Sequence, residues 1–389
     1  MTMAGIAGGV DFTAGTSDAV HFSGELSNAA ELRGSLRRLG RALVTGDDAE
    51  IVLQAYLEWG PALVSRLDGA YAFAVWDARD RKLVMVRDRL GIKPLHYHPT
   101  PDGVLFGSSA KSILADPSVP RIVDVDGLRA LVTSTLVPWK GIHSVEPGQI
   151  VTLSSAGVQA RTYARLDDLP RTDPQVVSGL PTFSADVAAL TDPALRREIV
   201  AAYDTPMGFG QADSALYLLA ETLAAQSTVV LSGPLAAEVF GCASSRPHGD
   251  RMALMCPHLR GHLAGAGPAP AGLTRMAIDR VDRISTAVGL RVRMPFTDQR
   301  LITYIHDTTR AQRVPSANAR YNAEIQRQAK EVLADRDHLA MSLIDWDWLT
   351  DAIAVDPAAM PGAVASGIEW ILDLYHWADL YHPVVERPA

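Results

Sequence analysis

Six charged residues in the second half of the chain have side chains that could perform acid–base chemistry. A carboxylate that lies beside an arginine can donate or accept a proton on a bound substrate. The same residue types also form salt bridges in protein interiors, so both interpretations stay open. The six residues are Asp204, Asp213, Glu238, Asp282, Arg283 and Arg291.

A loop in the first half of the chain holds three consecutive charges, Arg87-Asp88-Arg89, close to Gly91 and Pro94. Such a dense group of charges is costly to bury unless the charges pair with one another or hold a partner surface. The loop follows two apolar segments, Ala70–Trp76 and Leu83–Val86, separated by a polar turn. Their alternating pattern predicts a β-hairpin with one buried face.

Other elements are indicated by periodicity. Apolar spacing predicts helices over Ala49–Trp59 and Ala319–Ala334, and a short apolar run predicts a buried strand over Thr228–Leu231. Asp48 and Glu50 fall where acidic side chains favour a helix N-terminus.

Histidine and cysteine spacing gives no metal site. His248, His258 and His262 lack matching Cys or Asp partners, so we interpret them as surface residues. Cys242 and Cys256 form no CxxC pair and no disulfide framework, which favours a reducing compartment.

Composition indicates a globular protein. A chain of 389 residues is long enough for about two domains. The net charge of −8, without a long basic stripe, argues against binding nucleic acid. No apolar run reaches membrane-spanning length and no signal-peptide pattern opens the sequence, so we expect a cytoplasmic protein without membrane contact.

Four segments carry a resemblance to a known family. LDGAYAFAVWD (residues 67–77) and RDRLGIKPLHY (87–97) resemble the glutaminase domain of asparagine synthetases, of the class II glutamine amidotransferase type. Ser232–Gly241 and Met276–Asp298 resemble segments of the family's synthetase domain. The resemblance implies an α+β domain followed by an α/β domain. We expect an Ntn-type, glutaminase-like β-sandwich over residues 1–166, a linker over 167–182, and a truncated, mainly helical synthetase-like domain over 183–389.

The glutaminase chemistry of the family is expected to be lost. The family's nucleophile is an N-terminal cysteine directly before GIAG, and Ala4 occupies that position after three further residues. Ser23 stands where the family has an oxyanion-hole asparagine, and losing one such donor typically slows a reaction about 100–1000-fold. The remnant of the glutamine site would consist of Ser23, Gly24, Glu25 and Asp48, although we favour a helix-terminal role for Asp48.

The ATP chemistry of the family is also expected to be lost. The sequence lacks the Ser-Gly-Gly-x-Asp-Ser loop that cradles pyrophosphate. Pro234 and Ala237 replace the family's acidic pair, which leaves Glu238 alone, and one carboxylate makes a poor Mg²⁺ site. Arg291 replaces a glutamate at the substrate-facing rim. We therefore expect no metal and no cofactor, with ATP and magnesium only if synthetase chemistry persists.

Two functions of different classes remain open. The chain could be a repurposed, ATP-independent enzyme of a biosynthetic pathway that acts on a small-molecule substrate with the six charged residues. It could instead be a non-catalytic scaffold or regulator that binds a partner protein such as a full-length synthetase. A glutamine-hydrolysing asparagine synthase is a distant third. A homo-oligomer is expected, and the loop Arg87–Pro94 is predicted to have a structural role between domains.

Overall fold

The chain is described by a computed structural model. The described residues are 7–12, 18–133, 137–164, 187–206, 210–225, 228–231, 251–263, 270–294 and 319–386. They form two compact units, one from residues 1–120 and 141–170 and the other from 121–140 and 171–389. Within the described residues, no helix combines the length and the apolar composition that crossing a membrane requires.

Both units contain strands and helices. The strands are β1 Ala7–Asp11, β2 Ala19–Leu26, β3 Gly69–Asp77, β4 Lys82–Arg87, β5 His96–Pro99, β6 Gly103–Gly107, β7 Ile122–Val123, β8 His143–Ser144, β9 Gln149–Ser154, β10 Gly157–Thr162, β11 Val229–Leu231, β12 Arg291–Arg293 and β13 Val384–Val385. The helices are α1 Ala29–Arg38, α2 Asp48–Trp59, α3 Ala110–Leu114, α4 Val125–Thr133, α5 Val187–Leu190, α6 Pro193–Tyr203, α7 Gln211–Ala224, α8 Arg251–Leu254, α9 Pro257–Leu263, α10 Pro270–Ala287, α11 Ala319–Ala334, α12 Trp346–Ala354 and α13 Gly362–Tyr381. Short 3₁₀ helices cover Gly60–Ser65 and Leu339–Ser342.

The first unit contains two antiparallel sheets. One has five strands in the order β10-β9-β4-β3-β2, and the other has four in the order β1-β6-β5-β8. The predicted hairpin is confirmed, because β3 pairs with β4 in a register that places Asp77 opposite Lys82.

The prediction that this hairpin buries only one face is wrong. Ala72, Ala74 and Trp76 of β3 pack in a cluster with side chains of the four-stranded sheet, such as Phe106. The alternate residues of β3 point the opposite way and pack in a second cluster with residues of α1 and α2. Both faces of the strand are therefore covered, one by a sheet and one by helices, and alternation along β3 separates two cores.

The other elements named from periodicity are present. The helix predicted over Ala319–Ala334 has these bounds as α11, and the helix predicted to begin at Ala49 begins one residue earlier as α2. The predicted strand at Thr228–Leu231 is β11, which pairs in parallel with β12.

The second unit is built mainly from helices, with the long helix α13 in contact with α6, α11 and α12. It also includes residues 121–140. β7 pairs in parallel with β13, and the ring of Trp139 lies 5.3 Å from that of Trp377 between centroids. These apolar contacts explain why the stretch folds with the C-terminal helix.

Candidate functional site

Asp204 follows the end of α6 in a left-handed conformation, with a φ of 62°. Its side chain is buried, and Oδ1 accepts a hydrogen bond of 2.8 Å from the Tyr381 hydroxyl. Arg283 Nη1 lies 3.8 Å from Oδ2 and also donates to the Tyr203 carbonyl. Burial, followed by the charge of Asp204, raises the pKa of Tyr381 well above its ordinary value, so the tyrosine stays a hydrogen-bond donor.

Asp213 lies in the first turn of α7 and is also buried. Its Oδ1 accepts one hydrogen bond of 2.8 Å from the Tyr203 hydroxyl and another of 2.6 Å from Arg280 Nε. Arg280 donates in addition to the Ala212 carbonyl. Burial is the largest influence and lowers the pKa of Arg280, but the charges and hydrogen bonds of Asp213 and Tyr203 together outweigh it and leave the pKa raised.

Helix α10 supplies both arginines of this cluster. Arg280 and Arg283 are three residues apart, so they lie on neighbouring positions of one helix face. One reaches Asp213 at the start of α7, and the other reaches Asp204 at the end of α6. The structure thus joins Asp204, Asp213 and Arg283, three of the predicted residues, through α6, α7 and α10.

Two of the other three predicted residues lie on α10 and β12. Asp282 is buried on α10, and Arg291 is exposed on β12. Glu238 lies outside the described residues.

A second ionic cluster on α13 was not predicted from the sequence. Arg196 Nη1 of α6 donates to Asp373 Oδ1 at 2.6 Å, and both side chains are less than 10% exposed. Tyr321 of α11 donates to Glu369 Oε1. Gly210 has a φ of 54°, and a β-carbon placed on it would meet that carboxylate, so a larger residue there would be strained and would displace the Glu369 side chain. Glu369 and Asp373, four residues apart in a largely apolar helix, are the signal that could have indicated this cluster.

Arg251 is a further buried guanidinium group, close to carboxylates of both clusters. Burial lowers the pKa of Arg251 to about 10 against the attraction of Asp373 and Asp213, so that guanidinium remains a cation at neutral pH. Four carboxylates and four guanidinium groups form what we call the ionic core: Asp204, Asp213, Glu369 and Asp373 with Arg196, Arg251, Arg280 and Arg283.

A histidine beside this core makes stability dependent on pH. Burial, and then the positive charges of Arg196 and Arg197, lower the pKa of His376 to about 4 from 6.5. Below pH 6.5 the His376 imidazole binds a proton in the unfolded chain but stays neutral in the folded chain. The folded state therefore loses stability as the pH falls from 6.5 towards 4. We expect His376 to remove about 1–2 kcal/mol between pH 7 and pH 5.

The measurement is urea unfolding of the His376→Gln variant at both pH values. Its loss of stability on acidification should be smaller than that of the unchanged chain by this amount. His382→Asn, at the exposed residue that directly follows α13, is the matched control. Equal pH dependence of the His376 variant and the unchanged chain would contradict the expectation.

The residues predicted to be a remnant of a glutamine site lie on β2 and α2. Ser23, Gly24 and Glu25 pair with β3, and the backbone N–H of Leu26 donates to Asp48 Oδ2 at 2.8 Å. The structure therefore brings Asp48 to the end of the strand that carries the other three residues. Asp48 also begins α2, as favoured from the sequence, so its carboxylate joins a strand to a helix.

The charged loop Arg87–Pro94 is satisfied by backbone groups. The fully buried Asp88 accepts from the N–H groups of Leu90, Ile92 and Lys93, each at 3.0 Å. Arg87 donates to the carbonyls of Gly91 at 2.6 Å and Lys93 at 2.9 Å. Burial raises the pKa of Asp88 despite these bonds. Within this loop the Arg87 side chain donates to backbone carbonyls, and the Asp88 carboxylate accepts from backbone amides.

Comparison with known proteins gives two family matches, one in each half of the chain. Residues 12–164 match the family described as glutamine amidotransferase domain. Residues 182–262 and 271–333 match the family described as asparagine synthase.

Curated relatives are described as glutamine-hydrolysing asparagine synthetases. Glutamine-hydrolysing asparagine synthetase 3 of Bacillus subtilis is 33% identical over 199 residues, which cover 50% of this chain and 31% of the relative. Glutamine-hydrolysing asparagine synthetase 1 of the same organism is 32% identical over 38% of this chain and 24% of the relative. The match thus spans less than a third of either relative.

A solved structure is also similar, the glutamine phosphoribosylpyrophosphate amidotransferase of B. subtilis complexed with ADP and GMP. The match is 16% identical, covers 57% of this chain and 42% of the amidotransferase, and has a TM-score of 0.29. The two family matches and the curated relatives are sufficient: over part of its length, the chain belongs to the asparagine synthetase family.

Proposed function

We propose that this chain is an asparagine synthetase family member that has lost glutamine hydrolysis and ATP-dependent amidation. It acts in a biosynthetic pathway without catalysis, by binding a partner protein. In this proposal its first domain is an Ntn-type β-sandwich and its second is a shortened synthetase domain.

The ionic core is the observation that carries the proposal. An acid–base catalyst needs a carboxylate that reaches the substrate with a pKa near the working pH. Asp204 and Asp213 instead accept hydrogen bonds from tyrosines and lie against arginines. Arg283, the third candidate, holds Asp204 and a backbone carbonyl. These groups stabilise one another, which favours a structural role over a repurposed active site.

The residues at the family's reactive positions support the loss of both activities. Ala4 directly precedes Gly5-Ile6-Ala7-Gly8, and its methyl group cannot attack a carboxamide. Ser232–Gly241 keeps one carboxylate, that of Glu238, where the family has an acidic group.

The carboxylates of Asp204 and Asp213 do not fit a binding site for a magnesium–nucleotide complex. Mg²⁺ is bound through free carboxylates together with phosphate oxygens and waters. Asp204 and Asp213 already neutralise Arg283 and Arg280 in the interior. We therefore assign no step to ATP and propose that the protein needs no cofactor.

The test is a pair of assays on the full chain. Ammonia release from glutamine and the heat of Mg·ATP binding should both be absent, while a glutamine-hydrolysing asparagine synthetase gives both signals. Either signal would overturn the loss of family chemistry. Loss of the pathway product in a folded Glu238→Ala variant would instead overturn the non-catalytic role in favour of a repurposed enzyme.

The partner-binding role has its own measurement. Light scattering of the purified chain, alone and with the pathway's other proteins, should show a homo-oligomer or a mixed complex. A monomer in every mixture would contradict this role.

A further inference from the structure

Strand β10 is the outermost strand of the five-stranded sheet, next to β9. Its sequence is Gly-Val-Gln-Ala-Arg-Thr, and all six residues are exposed to solvent. Val158, a β-branched residue of the kind that suits a paired strand, is 46% exposed. Neither face of this strand is therefore buried by the part of the chain that the structure describes.

The pairing with β9 decides which backbone groups of β10 point outwards. The register is one residue to one residue over the whole strand, with Ala160 opposite Val151. Directly after the strand, the Tyr163 N–H donates to the Gly148 carbonyl at 2.7 Å. Because backbone groups alternate in direction along a strand, the N–H and C=O groups at even-numbered positions of β10 face away from β9. These positions are Val158, Ala160 and Thr162.

Solvation is the simplest interpretation of an exposed edge, since every open sheet has two edges. Proteins usually protect such edges by shortening the strand or by adding a bulge, a proline or a charged side chain. The strand β8, at an edge of the four-stranded sheet, is short, with two residues. In β10 the register has no bulge, the sequence has no proline, and Arg161 is the one charge. That charge opposes pairing only where the other strand places a positive charge opposite it.

We propose that β10 pairs antiparallel with β10 of a second copy of the chain, around a two-fold axis at Ala160. In this register Ala160 faces Ala160 of the second copy, and Val158 faces Thr162. All three outward-facing residues then pair in both copies and form about six backbone hydrogen bonds. A register shifted by two residues in either direction leaves one of the three without a strand partner.

The same register avoids a conflict between charges. Arg161 lies opposite Gln159 of the second copy, in a pair of the non-hydrogen-bonded type, where side chains approach most closely. A second copy also presents an edge that is already ordered, whereas a flexible peptide would lose conformational entropy on pairing. Both features favour a second copy as the occupant of this edge. The inference rests on the partner-binding function proposed above and assigns a surface to it.

Sedimentation velocity of the full chain should show a monomer–dimer equilibrium that depends on Ala160. Ala160→Pro removes the outward-facing N–H at the two-fold axis but no N–H that faces β9, and an edge strand tolerates proline in this orientation. Because the substitution is present in both copies, we expect dimerisation to weaken about tenfold or more. Ala160→Ser keeps the N–H and is the matched control, so its dimerisation should be unchanged.

A pair of charge variants tests the register without altering the backbone. Gln159→Arg places an arginine opposite Arg161 twice in the interface, once for each copy, and should weaken dimerisation about fivefold. Gln159→Arg combined with Arg161→Glu places opposite charges there and should restore at least the original affinity. Such recovery could not come from a damaged strand, because the double variant changes the strand more than the single variant does.

A chain that stays monomeric at every concentration would overturn the proposal, as would a dimer with the same affinity in every variant. A dimer that Gln159→Arg weakens and Arg161→Glu does not restore would also overturn it, since the two positions would then not face each other. A monomer that still forms a mixed complex with another pathway protein, without ammonia release or ATP binding, would refute the β10 pairing alone. The proposed function would stand in that case.

Discussion

Asp373→Asn is expected to lower the free energy of unfolding of the second unit by about 3 kcal/mol, because it leaves the buried charge of Arg196 without its closest anion. The two side chains meet at 2.6 Å and are 6% and 8% exposed. Asparagine keeps the size and one acceptor oxygen, so the loss reports mainly on charge. Urea unfolding followed by tryptophan fluorescence suits this measurement, since five of the seven tryptophans lie in the second unit.

The same helix supplies the control. Asp379 lies 3.5 Å from Arg197, but these side chains are 39% and 46% exposed. An ion pair with that exposure contributes about 0–1 kcal/mol, so Asp379→Asn should have a small effect. Equal losses in the two variants would show that the buried pair is not specially important to the fold.

A double variant separates packing from charge. Asp373→Leu with Arg196→Met removes both charges together, and apolar replacement of a buried pair is often neutral or stabilising. We expect it to recover at least half of the loss caused by Asp373→Asn. Such recovery would support a structural role for the ionic core, on which the non-catalytic function rests.

Local pattern predicted individual elements of this fold well. The alternation in Ala70–Trp76 indicated β3, and the spacing of apolar residues in Ala319–Ala334 indicated α11 to the residue. Both signals depend on neighbours within one element, so no knowledge of the tertiary structure is needed.

Contacts between distant segments were not predictable in the same way. Arg196 and Asp373 are separated by 177 positions, and Asp204 and Tyr381 by the same number. Their pairing depends on how α6 packs against α13, which periodicity does not specify. The sequence therefore indicated Asp204 and Asp213 as charged candidates but left open whether they face a substrate or an arginine, and the hairpin's second buried face was missed for the same reason.

Gly24→Ala is expected to destabilise the first unit by about 4 kcal/mol, among the largest effects of a single substitution. Gly24 has a φ of 122° on β2, and a β-carbon there would lie 2.0 Å from the Ala70 carbonyl oxygen and 2.8 Å from the α-carbon of Tyr71. Both are backbone atoms of the paired strand β3, so a side-chain rotation cannot relieve the clash. The strands must separate and break ladder hydrogen bonds.

Gly157→Ala is a closely matched control for this substitution. Its φ of 116° is nearly the same, but nothing lies within 4 Å of its β-carbon position. It should therefore lose only the conformational term, about 1–2 kcal/mol. Hydrogen exchange of peptides from β2 and β3 should accelerate strongly in Gly24→Ala and little in Gly157→Ala. Similar exchange in both variants would mean that the backbone angle alone requires glycine at position 24. A large difference would show that Gly24 is required for the close pairing of β2 with β3. That requirement holds whether or not glutamine binds beside the strand.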